Sequence, residues 1–325
     1  MAELSHKNRT MLEKVATKEG FQFPVKPPDR TFWQYLYDKR THTVMDRTKG
    51  SWARLALFYA VYFIVLGALT WACFQGLFAT LSDQYPKYQL ADSLIGTNPG
   101  MGYRPIPEDP EDAGFIKYRA RNKTETKYWV GRINSYLEPY KNLSLLPMGG
   151  QNHVNCDFDK PPASGEVCKV DITAMSPCTS ENGFGYNQSS PCVIIKLNRI
   201  YGWVPEPFDD VEDLPDEMPH DLVEHIKSLP EKKRNKIWVS CNGIYSWDNE
   251  AMGPVSYHPE PGIPGYYYPY LNQPGYLSPI IAVQFERPKL KQAINIECRA
   301  WAKNMFYRGG SAHRQGSFAF ALLVE

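Results

Sequence analysis

The sequence predicts a mainly β protein: a single membrane-spanning helix followed by a disulfide-stapled β-sandwich. Three observations predict it. A run without Lys, Arg, Asp or Glu extends from Leu55 through Leu81, between Arg54 and Asp83. Six of the seven cysteines lie beyond that run, and only Cys73 lies inside it. From Cys156 onward, short β-branched and aromatic runs sit between Pro, Gly and Asn turn signals. Aromatics make up 14% of the chain and there are 27 prolines, a mix that favours a turn-rich β domain over a helical bundle. The formal net charge of +1 gives no electrostatic reason to expect nucleic acid as a partner.

Residues 1–54 read as a polar, basic tail, with eleven Lys or Arg against six Asp or Glu. The prolines of "FPVKPPDR" exclude a regular helix there. The aromatics of "TFWQYLYDKR" could face the inner surface of a bilayer, although no polybasic block stands out and a solvated tail is the plainer reading. Trp52 sits where an interfacial aromatic is expected.

Residues 55–81 are expected to span the membrane as a signal anchor. At 1.5 Å per residue, about 25 helical residues exceed a hydrocarbon core of roughly 30 Å, so the span is tilted. More than fifty residues precede it, which excludes a cleaved leader. Lys39, Arg40, Arg47, Lys49 and Arg54 lie before it, and only Lys87 in the twenty residues after it, so the positive-inside rule leaves the N-terminus cytoplasmic. The span is also sculpted: Ala56, Ala60, Ala68, Ala72 and Gly76 fall at multiples of four, and Phe58, Tyr59, Tyr62 and Phe63 crowd its start. Lipid is as apolar as leucine, so small residues matter for close helix approach; Ala68, Ala72 and Gly76, with the polar Gln75, are the expected contact with another helix.

Residues 82–150 read as an extracellular stalk and linker rich in Pro and Gly, ending in a stretch of helical period, "TKYWVGRINSYLEPYKNL". Residues 151–325 form the sandwich, with strands expected at "CVIIKLNRIYGW", "KIWVSCNGIYSW", "LSPIIAVQFE", "AINIECRAWA" and "SFAFALLVE", and one helix at "PDEMPHDLVEHIKSL". The exterior placement agrees with an even count of outside cysteines and with sequons at Asn122, Asn142 and Asn187; a fourth, at Asn8, should stay bare on the cytoplasmic side. The cysteines are taken to pair as neighbours, Cys156–Cys168, Cys178–Cys192 and Cys241–Cys298, although six cysteines admit many pairings and spacing does not choose among them.

No catalytic constellation stands out in the sequence. Asp157-Phe158-Asp159 has the Asp-x-Asp form by which Golgi glycosyltransferases hold a metal–nucleotide pair, but no parallel α/β nucleotide domain accompanies it. His220 and His225 flank Glu224 at an interval that suits no single helical face, and read as solvated. The acidic run 209–217 lacks calcium-loop spacing. No catalytic residue, metal site or cofactor is expected.

Several long motifs carry a resemblance: "RTKGSWARLALFY" at 47–59, "PCVIIKLNRIYGW" at 191–203, "WVSCNG" at 238–243, "YYYPYLNQPGYLSPIIAVQF" at 266–285 and "ECRA" at 297–300. From the inner membrane boundary onward the chain closely resembles β subunits of sodium/potassium-transporting P-type ATPases, in the style of an invertebrate member. The resemblance implies an immunoglobulin-like β-sandwich ectodomain with long insertions and the same neighbour disulfides. It implies a plasma-membrane type II glycoprotein whose helix packs beside the seventh and tenth membrane helices of the catalytic α subunit. The β subunit does no ATP chemistry; it lets α fold, leave the endoplasmic reticulum and reach the surface, and it tunes potassium occlusion. Membrane lipid and a small single-span regulatory subunit are the further partners implied.

Tyr59 matches the first of two tyrosines that family members carry at the inner end of the span, while Phe63 holds the second place. Tyr267, Tyr268, Pro269 and Tyr270 match a Tyr-Tyr-Pro-Tyr motif that meets an extracellular loop of α, and Leu271 departs from it; a buried core edge is the alternative for these tyrosines. Other readings are a proton/potassium-pump β subunit and an adhesion ectodomain acting without a pump.

Overall fold

The computed structural model describes residues 31–39, 41–208, 210–310 and 314–325. The chain divides after Thr80 into two units. The tail ahead of residue 31, with Asn8 and "FPVKPPDR", lies outside the described residues, as does Asp209 of the acidic run.

In the first unit a short helix α1 (Phe32–Leu36) leads into a hairpin, β1 (Tyr37–Asp38) and β2 (Thr43–Val44), and then into the long helix α2 (Lys49–Phe78). Thr48 caps α2, its hydroxyl accepting the Ser51 N–H, so the helix starts six residues before the uncharged run. No residue of α2 is buried within the chain.

The second unit holds two sheets. One has four antiparallel strands in the order β3 (Met101–Arg104), β7 (Cys192–Leu197), β11 (Ile280–Phe285), β9 (Val255–His258). The other has five, in the order β10 (Gly262–Pro264), β8 (Lys236–Gly243), β12 (Ile294–Trp301), β13 (Ser317–Val324), β4 (Phe115–Tyr118), and only its β13–β4 edge is parallel. A small parallel pair, β5 (His153–Val154) and β6 (Val167–Cys168), stands apart.

Period two puts alternate residues on one face. Ile294, Ile296, Cys298 and Ala300 of β12 and Phe318, Phe320, Leu322 and Val324 of β13 point into the core, while Asn295, Glu297 and Arg299 point out and are half-buried. Strand β8 is buried on both faces. Ile237, Val239 and Cys241 join the main core, and Trp238 joins a second cluster with Trp301 beneath helix α4 (His220–Ser228), which contributes Leu222 and Ile226. A run buried on both sides shows no alternation, which is why Ile237, Trp238 and Val239 read as one apolar block between Lys236 and Ser240; the lysine is buried and pairs with Glu260.

Three expectations change. The stretch read as stalk and linker supplies one strand to each sheet, β3 and β4, and helix α3 (Lys123–Lys141), which buries Trp129, Ile133, Leu137 and Tyr140 at helical spacing. Four-residue strands between prolines and glycines are too short to show a period, so they were hidden in the composition. The predicted helix begins only at His220, because Pro215 and Pro219 interrupt its first half. Beyond Gly243 the run read as strand turns into a helix, α5 (Ser246–Met252).

The three disulfides are Cys156–Cys168, Cys178–Cys192 and Cys241–Cys298, with Cα–Cα distances of 5.5, 5.8 and 4.0 Å. The last joins directly opposed residues of β8 and β12, so it clasps neighbours within one sheet.

Candidate interaction surfaces

A helix of 30 residues with nothing buried is a surface awaiting a solvent or a partner. At about 100° per residue, a four-residue step advances by about 40°, so the row from Ala56 to Gly76 winds roughly 200° around α2. It does not make one stripe. Ala68, Ala72 and Gln75 share an arc of roughly 60°, with Gly76 at its edge, whereas Tyr59 lies about 180° around from Ala68. Ala56 and Ala60 belong to another arc, shared with Gly67, a residue the count by fours missed; nothing lies within 4 Å of a side chain built at Gly67 or Gly76. Tyr59 stacks on Phe63 with ring centres 6.1 Å apart, and Phe58 on Tyr62 at 6.4 Å, so the N-terminal half of the helix carries two aromatic ladders. Cys73 is exposed on the same helix.

The tyrosine segment forms a half-buried ledge on the second unit. Tyr267 and Tyr268 pack against the main core on one side while remaining half-buried. The Tyr267 hydroxyl donates to the Lys169 carbonyl at 3.2 Å. Tyr268 meets Trp203 edge-on at 5.5 Å, and its buried hydroxyl has no hydrogen-bond partner among the described residues. Burial pushes the Tyr268 hydroxyl's pKa well up, and that of Tyr267 up as well. Tyr270 donates to Asn272 Oδ1 at 3.0 Å and lies 5.0 Å from the Tyr276 ring; the Arg199 guanidinium covers both rings. Arg199 is held in turn by the Tyr276 carbonyl at 2.9 Å, and the Gly202 N–H binds the Tyr270 carbonyl at 2.9 Å.

Beside the ledge opens a cavity of about 710 Å³, with Tyr267, Tyr268, Pro269 and Tyr276 on one side and the loop closed by Cys156–Cys168 on the other. Trp203, Arg199 and Tyr276 were not singled out from sequence; the one signal was the density of aromatic and Pro residues around them.

The sequons sit around α3. Asn122 caps its N-terminus, with Oδ1 accepting the Thr124 N–H at 3.1 Å and Nδ2 donating to Glu125 at 2.7 Å, and it is half-buried. Asn142 follows the other end and is exposed, and Asn187 is exposed on the turn Gly183–Gln188.

The residues searched for catalysis are engaged elsewhere. Asp159 accepts from Lys232 at 2.8 Å, and the Asp157 backbone pairs with Lys160. Within the acidic run, Asp213 pairs with Lys303 at 3.1 Å and Glu217 with Arg299 of β12 at 2.7 Å, so those carboxylates already have cationic partners. His220 is exposed, but His225 is half-buried with its ring 5.9 Å from Trp238, not solvated. Among the described residues no three His, Cys, Asp or Glu side chains gather as metal ligands. Among the described residues the arrangement offers surfaces for binding.

Comparison with known proteins gives a consistent result. The family model for the sodium/potassium ATPase beta chain matches residues 25–320. Sodium/potassium-transporting ATPase subunit beta-2 of Drosophila melanogaster is 44% identical over 317 residues, covering 94% of this chain and 97% of that protein. Subunit beta-1 of the same organism is 41% identical over 308 residues, with 95% and 97% covered. A probable subunit beta-3 of Caenorhabditis briggsae is 32% identical over 302 residues, with 92% and 88% covered.

Proposed function

This chain belongs to the sodium/potassium ATPase beta-chain family, and from that premise we propose how it serves the pump. It is a non-catalytic subunit associated with the catalytic α subunit at the plasma membrane. It supports the folding, assembly and delivery of α and modulates sodium and potassium transport.

In this reading residues 1–54 are cytoplasmic, 55–81 span the membrane, and the rest is an extracellular domain glycosylated at Asn122, Asn142 and Asn187. The observation that carries the reading is the fully unburied α2 with its small-residue arc. Leucines facing lipid need no partner; alanines and a glutamine gain from one. Ala68, Ala72, Gln75 and Gly76 form one contact and Tyr59 a second on the opposite side, which suits a helix wedged between two others. Outside the membrane, Tyr267, Tyr268 and Tyr270 form the second docking site, where Tyr268's unpartnered hydroxyl supports a partner group reaching the cavity. Lipid fills the remaining helix surface, and a small single-span regulatory subunit is the further partner.

The test is co-purification of α with Ala72→Leu plus Gly76→Leu. Both variants remain apolar, so insertion is retained while close approach is lost. Recovery of α should fall several-fold with the disulfide-bonded domain still folded; unchanged recovery would place the contact elsewhere.

A further inference from the structure

We propose that residues 31–54 form a collar that lies in the inner membrane interface and binds anionic phospholipid. The proposal rests on the cytoplasmic placement of this segment and concerns a surface that placement alone does not explain. Phe32 and Trp33 are 70% and 74% exposed on α1, and Tyr35, Leu36, Tyr37, Val44 and Met45 are exposed beside them. So dense a set of large apolar side chains on so small an element needs a cover.

The local structure fixes where the collar can go. The Met45 N–H donates to the Leu36 carbonyl at 3.3 Å, folding the hairpin back on α1. Val44 and Arg47 exchange backbone hydrogen bonds, both at 3.0 Å. The Trp52 indole N–H, on the first turns of α2, donates to the Val44 carbonyl at 2.9 Å. The hairpin is therefore tied to the start of a helix that is unburied for its whole length and uncharged from Leu55 onward. Wherever α2 enters lipid, the hairpin arrives at the level of the headgroups. That continuity argues for lipid as the cover.

Charge selects the lipid. Lys39, Arg47, Lys49 and Arg54 are exposed, and with Arg40 they outnumber Asp38 and Asp46 by five to two over residues 31–54. Basic residues just cytoplasmic of a membrane helix are drawn to the anionic inner leaflet, while Trp and Tyr settle at the headgroup boundary. Neither half anchors strongly alone, and apolar insertion plus charge attraction together do.

The experiment uses the full chain with Cys73→Ala and Tyr35→Cys, labelled with a polarity-sensitive fluorophore. It is placed in nanodiscs of phosphatidylcholine alone or with phosphatidylserine, with a shallow spin-labelled lipid as quencher. Blue-shifted emission and quenching are expected, several-fold stronger with phosphatidylserine and weakened by salt. Phe32→Ser with Trp33→Ser should lose quenching in both lipids, whereas Arg47→Gln with Lys49→Gln should lose only the phosphatidylserine increment. Water-like emission in a chain that has entered the discs would overturn the collar while leaving the membrane span intact. Equal quenching in both lipids would overturn the anionic preference. Quenching that appears only when α co-purifies would identify a protein contact instead, and failure to enter the discs would refute the span itself.

Discussion

Replacing Tyr268 by Phe should move stability and partner binding in opposite directions. The substitution keeps the ring that meets Trp203 edge-on at 5.5 Å and removes only the hydroxyl, which is buried and has no partner among the described residues. A buried polar group left unsatisfied costs about 1–3 kcal/mol, and an apolar group of the same shape avoids that cost. Because the residue as a whole is half-buried, the lower end of that range applies, a gain of about 1 kcal/mol. For a domain of this size that is a rise of about 2–4 °C in Tm. If a group from α satisfies the hydroxyl in the complex, the variant forfeits a hydrogen bond of about 1 kcal/mol, roughly a fivefold loss of affinity. Thermal melting of the purified full chain reads the first effect, and capture of α by the same preparation reads the second. A lower Tm would mean that the hydroxyl is already paired within the chain. A higher Tm with undiminished capture would mean that α does not reach it.

Four other outcomes follow from the same geometry. Replacing Cys241 and Cys298 together opens a loop of 57 residues, for which loop-closure entropy gives a loss of about 4 kcal/mol; pulse-chase should find the variant retained in the endoplasmic reticulum, while Cys73→Ala is delivered normally. Glycan mapping should find sugars at Asn122, Asn142 and Asn187 and none at Asn8. Truncating Ile133, fully buried on α3, to Ala should cost about 2–5 kcal/mol in denaturant titration, more than any exposed position of that helix. Burial pushes the Tyr257 hydroxyl up to about 12. A raised acid pKa gives stability that is complete below the unfolded value near 10 and is lost as pH rises through about 12. An alkaline melt should therefore decline over that window, and less steeply in Tyr257→Phe.

What the sequence made legible depended on length and contrast. The uncharged run announced α2, and the long apolar strands β7, β8, β11, β12 and β13 stood between turn residues. Strands β3 and β4 escaped notice because four residues between Pro and Gly carry no period, and their place is set by partners far away in sequence. Helix α5 was absorbed into a strand, since "IYSW" has β-forming residues and its start is fixed by tertiary contacts. The tyrosine motif was legible as a cluster of rings, but the support that half-buries it was not: Trp203 and Arg199 come from the segment after β7, and nothing local announces that they meet Tyr268 and Tyr270. In the membrane, counting by fours suggested one stripe. A helix turns that count into a spiral, which separates Ala56 from Ala68 by about 120°.

The parallel pairing of β13 with β4 sets a timetable for synthesis. Phe115 lies beside Ala321, roughly 200 residues later in the chain. As the polypeptide emerges, β4 has no neighbour to join, and β12 offers an open flank where β13 will sit. The five-stranded sheet therefore cannot close until nearly the last of the described residues has arrived. Through that interval its unpaired edges are available to chaperones and vulnerable to mispairing with other chains. Maturation of this domain is thus tied to the arrival of β13, and an unfinished copy would be recognisable by its open sheet.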